Sequence, residues 1–179
     1  MQALLSYVKL VDWISEKLGK LSAYLIMASC LISAGNAIIR YTFDKSSNGW
    51  LEIQWYLFGA AVMLGAPYVL RMNEHVRVDV LYGRFHSRGQ VFVDILGLVC
   101  FLLFMSTICT YLAWPFFYEK FRSMELSSNA GGLLRWPIAL MLPLGFALLT
   151  LQGIAEVIKR VAWLNGTYSM EVHYEKPLQ

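Results

Sequence analysis

The sequence predicts an all-α integral membrane protein. It has four transmembrane helices, an N-terminal amphipathic helix at the interface and an amphipathic cytoplasmic connection. Three observations carry this. The 179 residues are 58% hydrophobic and only 15% charged, well below the roughly one-quarter charged residues of soluble domains. Mean hydropathy is +0.51. The apolar residues gather into four runs that approach or exceed the ~20 residues needed to cross a bilayer. The middle pair of runs is separated by one dense polar stretch, Arg71 to Arg88, with four arginines, two acids and two of the three histidines. Such a segment is too costly to leave in hydrocarbon, so it must lie at one membrane face.

From the amino terminus, residues 4–18 read as an amphipathic helix. Leu4, Val8, Val11 and Leu18 recur at helical spacing, while Lys9, Asp12, Glu16 and Lys17 fall mostly elsewhere. With Trp13 beside them, this helix is expected to lie in the interface; a solvated helix is the alternative. No short apolar core ends in a small-residue cleavage site, so a secretory signal peptide is not expected.

The first span covers about 21–43. Ser29, Ser33 and Ala37 recur every fourth residue and give a close-approach stripe for another helix. Asn36 lies in its outer part, and Arg40, near its end, can snorkel to the interface. A polar turn from Asp44 to Gly49 leads to the second span, about 51–70. Glu52, Gln54, Trp55 and Tyr56 give this span an interfacial start, with Glu52 near the surface. Ala61 and Gly65 form another small-residue pair, and Pro67 is expected to bend the helix. In the polar connection Asn73 is placed to cap a following helix with Val78, Leu81, Tyr82 and Phe85 on one face. The alternation of Val76, Val78 and Val80 leaves a short extended piece open.

The third span, about 91–118, starts with Asp94 near its inner end and finishes in an aromatic cluster around Trp114. Residues 119–132 form the longest outer loop. The fourth span, about 133–161, opens with Arg135-Trp136-Pro137, where proline suits the first helical turn; Pro143 is expected to kink its interior. The tail, 162–179, is polar. Cys30, Cys100 and Cys109 fall inside apolar runs, where they read as small buried hydrophobes. The whole chain reads as a single membrane domain.

Counting lysines and arginines orients it. With the 71–90 connection inside, the inner face holds Lys9, Lys17, Lys20, Arg71, Arg77, Arg84, Arg88, Lys159, Arg160 and Lys176. The outer face holds Arg40, Lys45, Lys120, Arg122 and Arg135. Ten against five puts both termini in the cytoplasm.

Several function classes lose ground. The net charge of +3 is small and scattered, unlike a nucleic-acid footprint. Arg40, Glu52, Asp94 and Glu156 all sit toward span ends, so a self-contained exporter with a central carboxylate is disfavoured. The histidines lie outside the spans, against haem ligation across a bundle. No phosphate-binding loop or nucleophile motif is present, and nothing argues for an enzyme. The residues alone lead to a helix-packing or scaffold subunit of a larger membrane assembly.

The run Arg71-Met-Asn-Glu-His-Val-Arg-Val-Asp-Val-Leu-Tyr resembles the signature of the small membrane (DctQ-like) subunit of TRAP transporters, the tripartite ATP-independent periplasmic transporters. Trp50-Leu-Glu-Ile-Gln-Trp-Tyr, together with Gln90 and Asp94, extends the likeness, as do span number and length. The resemblance implies a bacterial inner-membrane protein whose partners are a large membrane subunit and a periplasmic substrate-binding protein. The large subunit would carry the substrate and sodium sites, so no cofactor is expected in this chain. This chain would brace the large subunit and help dock the binding protein for uptake of an organic anion. Arg71, Asn73, Glu74, His75, Arg77 and Asp79 match the family motif, as caps and ion pairs within the connection or as contacts to the large subunit. Glu52, Gln54 and Trp55, with Ser29, Ser33, Ala37, Ala61 and Gly65, are large-subunit interface candidates. Lys120, Arg122 and Glu125 are binding-protein docking candidates, with a plain solvated loop as the alternative. The competing class is a self-sufficient homo-oligomeric transporter or channel, and a membrane regulator is a further one.

Overall fold

Four long apolar helices build the structure, a computed structural model that describes residues 2–45, 47–73, 86–129 and 131–169. They are α1 (Gln2–Phe43), α2 (Asn48–Met72), α3 (Ser87–Ser123) and α4 (Trp136–Leu164), and each is long and apolar enough to cross a membrane. Among the described residues there is no strand, only one isolated bridge between Leu126 and Leu134. The all-α expectation with four spans is borne out.

α4 packs against each of the other three helices, and α1 pairs most extensively with α2. The close approaches use small residues. An added Cβ on Gly145 of α4 would sit 2.9 Å from the Met63 carbonyl oxygen of α2, so only glycine lets these backbones meet. α2 and α4 run without interruption through Pro67 and Pro143, both fully buried. α3 contains a π-helical stretch, Leu98–Leu103, between α-helical segments Ser87–Gly97 and Phe104–Ser123.

The amino-terminal segment differs from expectation. It is helical, but it continues without a break into the first span, giving one helix of 42 residues. At 1.5 Å per residue this is about 63 Å, twice the ~30 Å hydrocarbon core. Its apolar stripe is covered at Val8 and Val11, while Leu4 stays half-exposed. Val8 and Val11 are buried with Ala155 of α4, and Tyr7 and Ile158 pack beside them. Tyr7 donates to the Leu151 carbonyl at 2.9 Å and Ser15 to Gln152 Oε1 at 2.7 Å. Tyr7 to Ser15 of α1 thus meet Leu151 to Lys159 of α4, so the amino-terminal part of α1 packs on the last turns of α4. Leu10 and Trp13 remain exposed on the other side.

Two further expectations are revised, at the cysteines and at Glu52. Asn73 ends α2: it is left-handed at φ 60°, and its N–H bonds back to the Leu70 carbonyl, a geometry asparagine tolerates; the helix it was expected to cap lies outside the described residues. Cys30 and Cys100 are exposed on the bundle's outside, because the outer faces of α1 and α3 are themselves apolar. Glu52 is 4% exposed, covered by the loop that precedes α4. Glu74, His75, Arg77 and Asp79, the face from Val78 to Phe85 and residues 170–179 lie outside the described residues.

Candidate functional site

Polar chemistry concentrates at the two ends of the bundle. At the end carrying the amino terminus and the last turns of α4, a buried ion cluster joins all four helices. Lys159 Nζ donates to Asp12 Oδ1 at 2.8 Å and to Glu156 Oε1 at 2.7 Å. Arg160 donates to Glu156 Oε2 at 2.6 Å and to Asp94 Oδ2 of α3 at 3.2 Å. Gln152, fully buried, closes the cluster: its Nε2 donates to Asp12 and Glu156, and its Oε1 accepts from Ser15. Arg71, at the end of α2, donates to the Asp12 carbonyl at 3.2 Å and to Glu16 Oε2 at 3.3 Å. Buried charges survive only when paired and hydrogen-bonded, and here Asp12, Glu156, Lys159 and Arg160 each have at least two partners.

This cluster is what sequence reasoning missed. Glu156, Lys159 and Arg160 read as span-end charges, although their i, i+3 and i, i+4 spacing already put them on one face. Asp12 and Ser15 gave no signal, because their partners lie on α4.

The opposite end is organised by Glu52. Its Oε1 accepts from Ser127 Oγ and, at 2.7 Å, from Asn129 Nδ2; its Oε2 accepts the Leu133 backbone N–H at 2.7 Å. One carboxylate on α2 therefore holds three points of the 124–135 loop. The loop also closes on itself, through Ser127 N–H to the Leu133 carbonyl at 2.9 Å and Arg135 N–H to the Glu125 carbonyl at 3.0 Å. Gly132 fits because an added Cβ would meet Ser127 Cβ at 2.5 Å. Glu125 pairs with Lys120 and with Arg135, the latter at 2.8 Å. The Lys120 ammonium, followed by Arg135, holds the Glu125 carboxyl below its usual range.

The remaining sequence candidates divide into inward and outward sets. Ser29 donates to the Gln54 carbonyl at 3.2 Å, Ala61 is 2% exposed, and an added Cβ on Gly65 would meet Ser22 Oγ at 3.2 Å. These small residues serve the contact between α1 and α2. Gln54 Nε2 is buried without a partner among the described residues. Ser33, Ala37 and Trp55 face outward, Trp55 at 72% exposure. Lys120 and Glu125 are joined in the loop network, and Arg122 is exposed. Broad apolar faces stay uncovered on α1, at Tyr24, Leu31 and Ile38, and on α3, at Phe101, Tyr111 and Leu112.

A family model described as "Tripartite ATP-independent periplasmic transporters, DctQ component" matches residues 10–162. A curated relative, the "C4-dicarboxylate TRAP transporter small permease protein DctQ" of Vibrio cholerae, is 28% identical over 103 residues. The aligned stretch covers 56% of this chain and 44% of that protein, less than half its length. No solved structure matches.

Proposed function

The chain belongs to the family of DctQ components of tripartite ATP-independent periplasmic transporters, and from that membership we propose that it braces a large transport subunit and helps dock a periplasmic substrate-binding protein. The observation that carries this reading is the extent of the match, residues 10–162, which takes in α2, α3, most of α1 and α4, and the loop before α4. The placement of charge supports it. The ion pairs among the described residues gather at the two ends of the bundle. That suits charges that hold helices together rather than pass a solute between them.

The excess of lysine and arginine, ten against five, orients the bundle with both termini in the cytoplasm of a bacterial inner membrane. The Asp12–Lys159 cluster then lies inside, beside Arg71 at the end of α2, and the Glu52 loop faces the periplasm. The uncovered faces of α1 and α3, with Ser33, Ala37 and Trp55, meet the large subunit and lipid. The loop held by Glu52, with Glu125 on it and Lys120 and Arg122 beside it in the last turn of α3, is the surface offered to the binding protein. Sodium coupling and recognition of the organic anion, of the carboxylate class, belong to those partners. Glu74, His75, Arg77 and Asp79 hold the cytoplasmic connection for the large subunit.

Affinity purification of the tagged chain from its native membrane in mild detergent, with mass spectrometry of the companions, tests the assembly. A stoichiometric large multi-span protein is the expected result. Recovery of the chain alone as a defined oligomer would overturn it. Solute uptake by the chain alone in vesicles would then establish the self-sufficient transporter.

A further inference from the structure

Between the loop ends of α2, α3 and α4 lies a groove of about 740 Å³ whose polarity is ordered along its length. Lys120, Asn129 and Arg135 wall it beside the 124–135 loop; Phe58, Val62 and Leu142 wall it about two to four turns along their helices from the loop end. We propose that this groove is a binding site for a membrane phospholipid, with the phosphate held by Lys120 and Arg135 and an acyl chain laid along Phe58, Val62 and Leu142. The inference rests on membrane embedding alone and not on the assembly proposed above.

Three observations select this occupant. The first is order: a water-soluble anion needs polar partners throughout, whereas polarity at one end and hydrocarbon at the other match a lipid standing in its own leaflet. The second is size. The volume falls within the roughly 300–1,000 Å³ of small-molecule sites.

The third is charge. Lys120 and Arg135 share one carboxylate, Glu125. Arg135 spends its Nη1 there at 2.8 Å, and a guanidinium carries five N–H donors. Glu52, an acid in the wall, is buried, and its oxygens are occupied by Ser127, Asn129 and Leu133. Glu52 and Glu125 together balance the two cations, so the site offers a phosphate the unspent N–H donors of Arg135 and Lys120, in charge-assisted bonds of the stronger class.

The test uses the full chain with whatever co-purifies, reconstituted into vesicles of phosphatidylethanolamine and phosphatidylglycerol and extracted in mild detergent. Native mass spectrometry reads the bound lipid, and benzoylphenylalanine at Val62, a half-exposed position, reads its neighbour. The expected result is one retained phospholipid per chain and a cross-link from position 62 to an acyl chain. Val62→Trp, which fills the apolar half, and the double variant Lys120→Gln/Arg135→Gln each lower retention about tenfold. A cross-link to protein, retention of inorganic phosphate alone, or equal lipid retention in both variants overturns the proposal. Loss of the large subunit during purification leaves the lipid readout intact, so the two readings fail separately.

Discussion

Lys159 on α4 and Asp12 on α1, 147 positions apart, meet at 2.8 Å, and the same ammonium also holds Glu156 at 2.7 Å. One cation thus answers two acids where α1 packs on α4, with Arg160, Gln152 and Arg71 supplying further partners.

Lys159→Met is therefore expected to destabilise the bundle by about 3 kcal/mol, because removing one partner of a buried pair leaves the others uncompensated. Lys159→Arg keeps the charge and should recover most of the loss. Thermal unfolding in detergent reads both, and an unchanged melting temperature in Lys159→Met would remove the cluster from any structural role.

Glu52→Ala removes the acceptor of three loop donors. We expect residues 124–135 to exchange amide hydrogens about 30-fold faster, equivalent to about 2 kcal/mol of local opening, while the helices keep their protection. Uniform exchange across the chain in wild type and variant would contradict this.

Gly145→Ala pushes a methyl group toward the Met63 carbonyl oxygen, 2.9 Å away. Backbone cannot move aside as a flexible side chain can, so the substitution should cost about 1–3 kcal/mol. Gly97→Ala, where an added Cβ meets nothing within 4 Å, is the matched control and should be neutral or mildly stabilising.

Acidification should release the loop pairs of Glu125. Its carboxyl is lowered by the Lys120 ammonium and then by Arg135, so the folded loop binds fewer protons than the unfolded one. The stabilisation is complete above the ordinary carboxylate value of about 4.3 and is lost as pH falls through the lowered value. Hydrogen exchange of 124–135 between neutral and acidic pH follows it. Glu125→Gln should weaken that pH dependence, leaving the part carried by the Glu52 carboxylate that holds the same loop, and an unchanged profile in the variant would assign the titration elsewhere.

Arg77→Ala tests the motif in the cytoplasmic connection. If the motif engages the large subunit or positions the connection for it, recovery of that subunit with the tagged chain should fall several-fold with this chain's own expression unchanged. Full recovery and normal uptake would take Arg77 out of the assembly.

The four spans were legible in the sequence because they rest on local signals. Apolar runs of bilayer length, the charged connection and the proline in the first turn of α4 each act within a few residues. The motif around Arg71 was legible for the same reason, and it led to the family that the match over residues 10–162 shows. Burial was not. The stripe of Val8 and Val11 looks the same whether lipid or α4 covers it, and only the packing of α1 on α4 decides. Glu52 looks like an interfacial acid until the 124–135 loop folds over it. Asp12, Gln152 and Lys159 carry no shared pattern in the chain; the cluster exists because helix packing brings distant positions to hydrogen-bond distance, where unpaired charge is costly and pairing becomes obligatory. Periodicity and composition along the chain determined what spans the membrane, and which polar groups meet was decided by the packing of α1, α2 and α3 against α4.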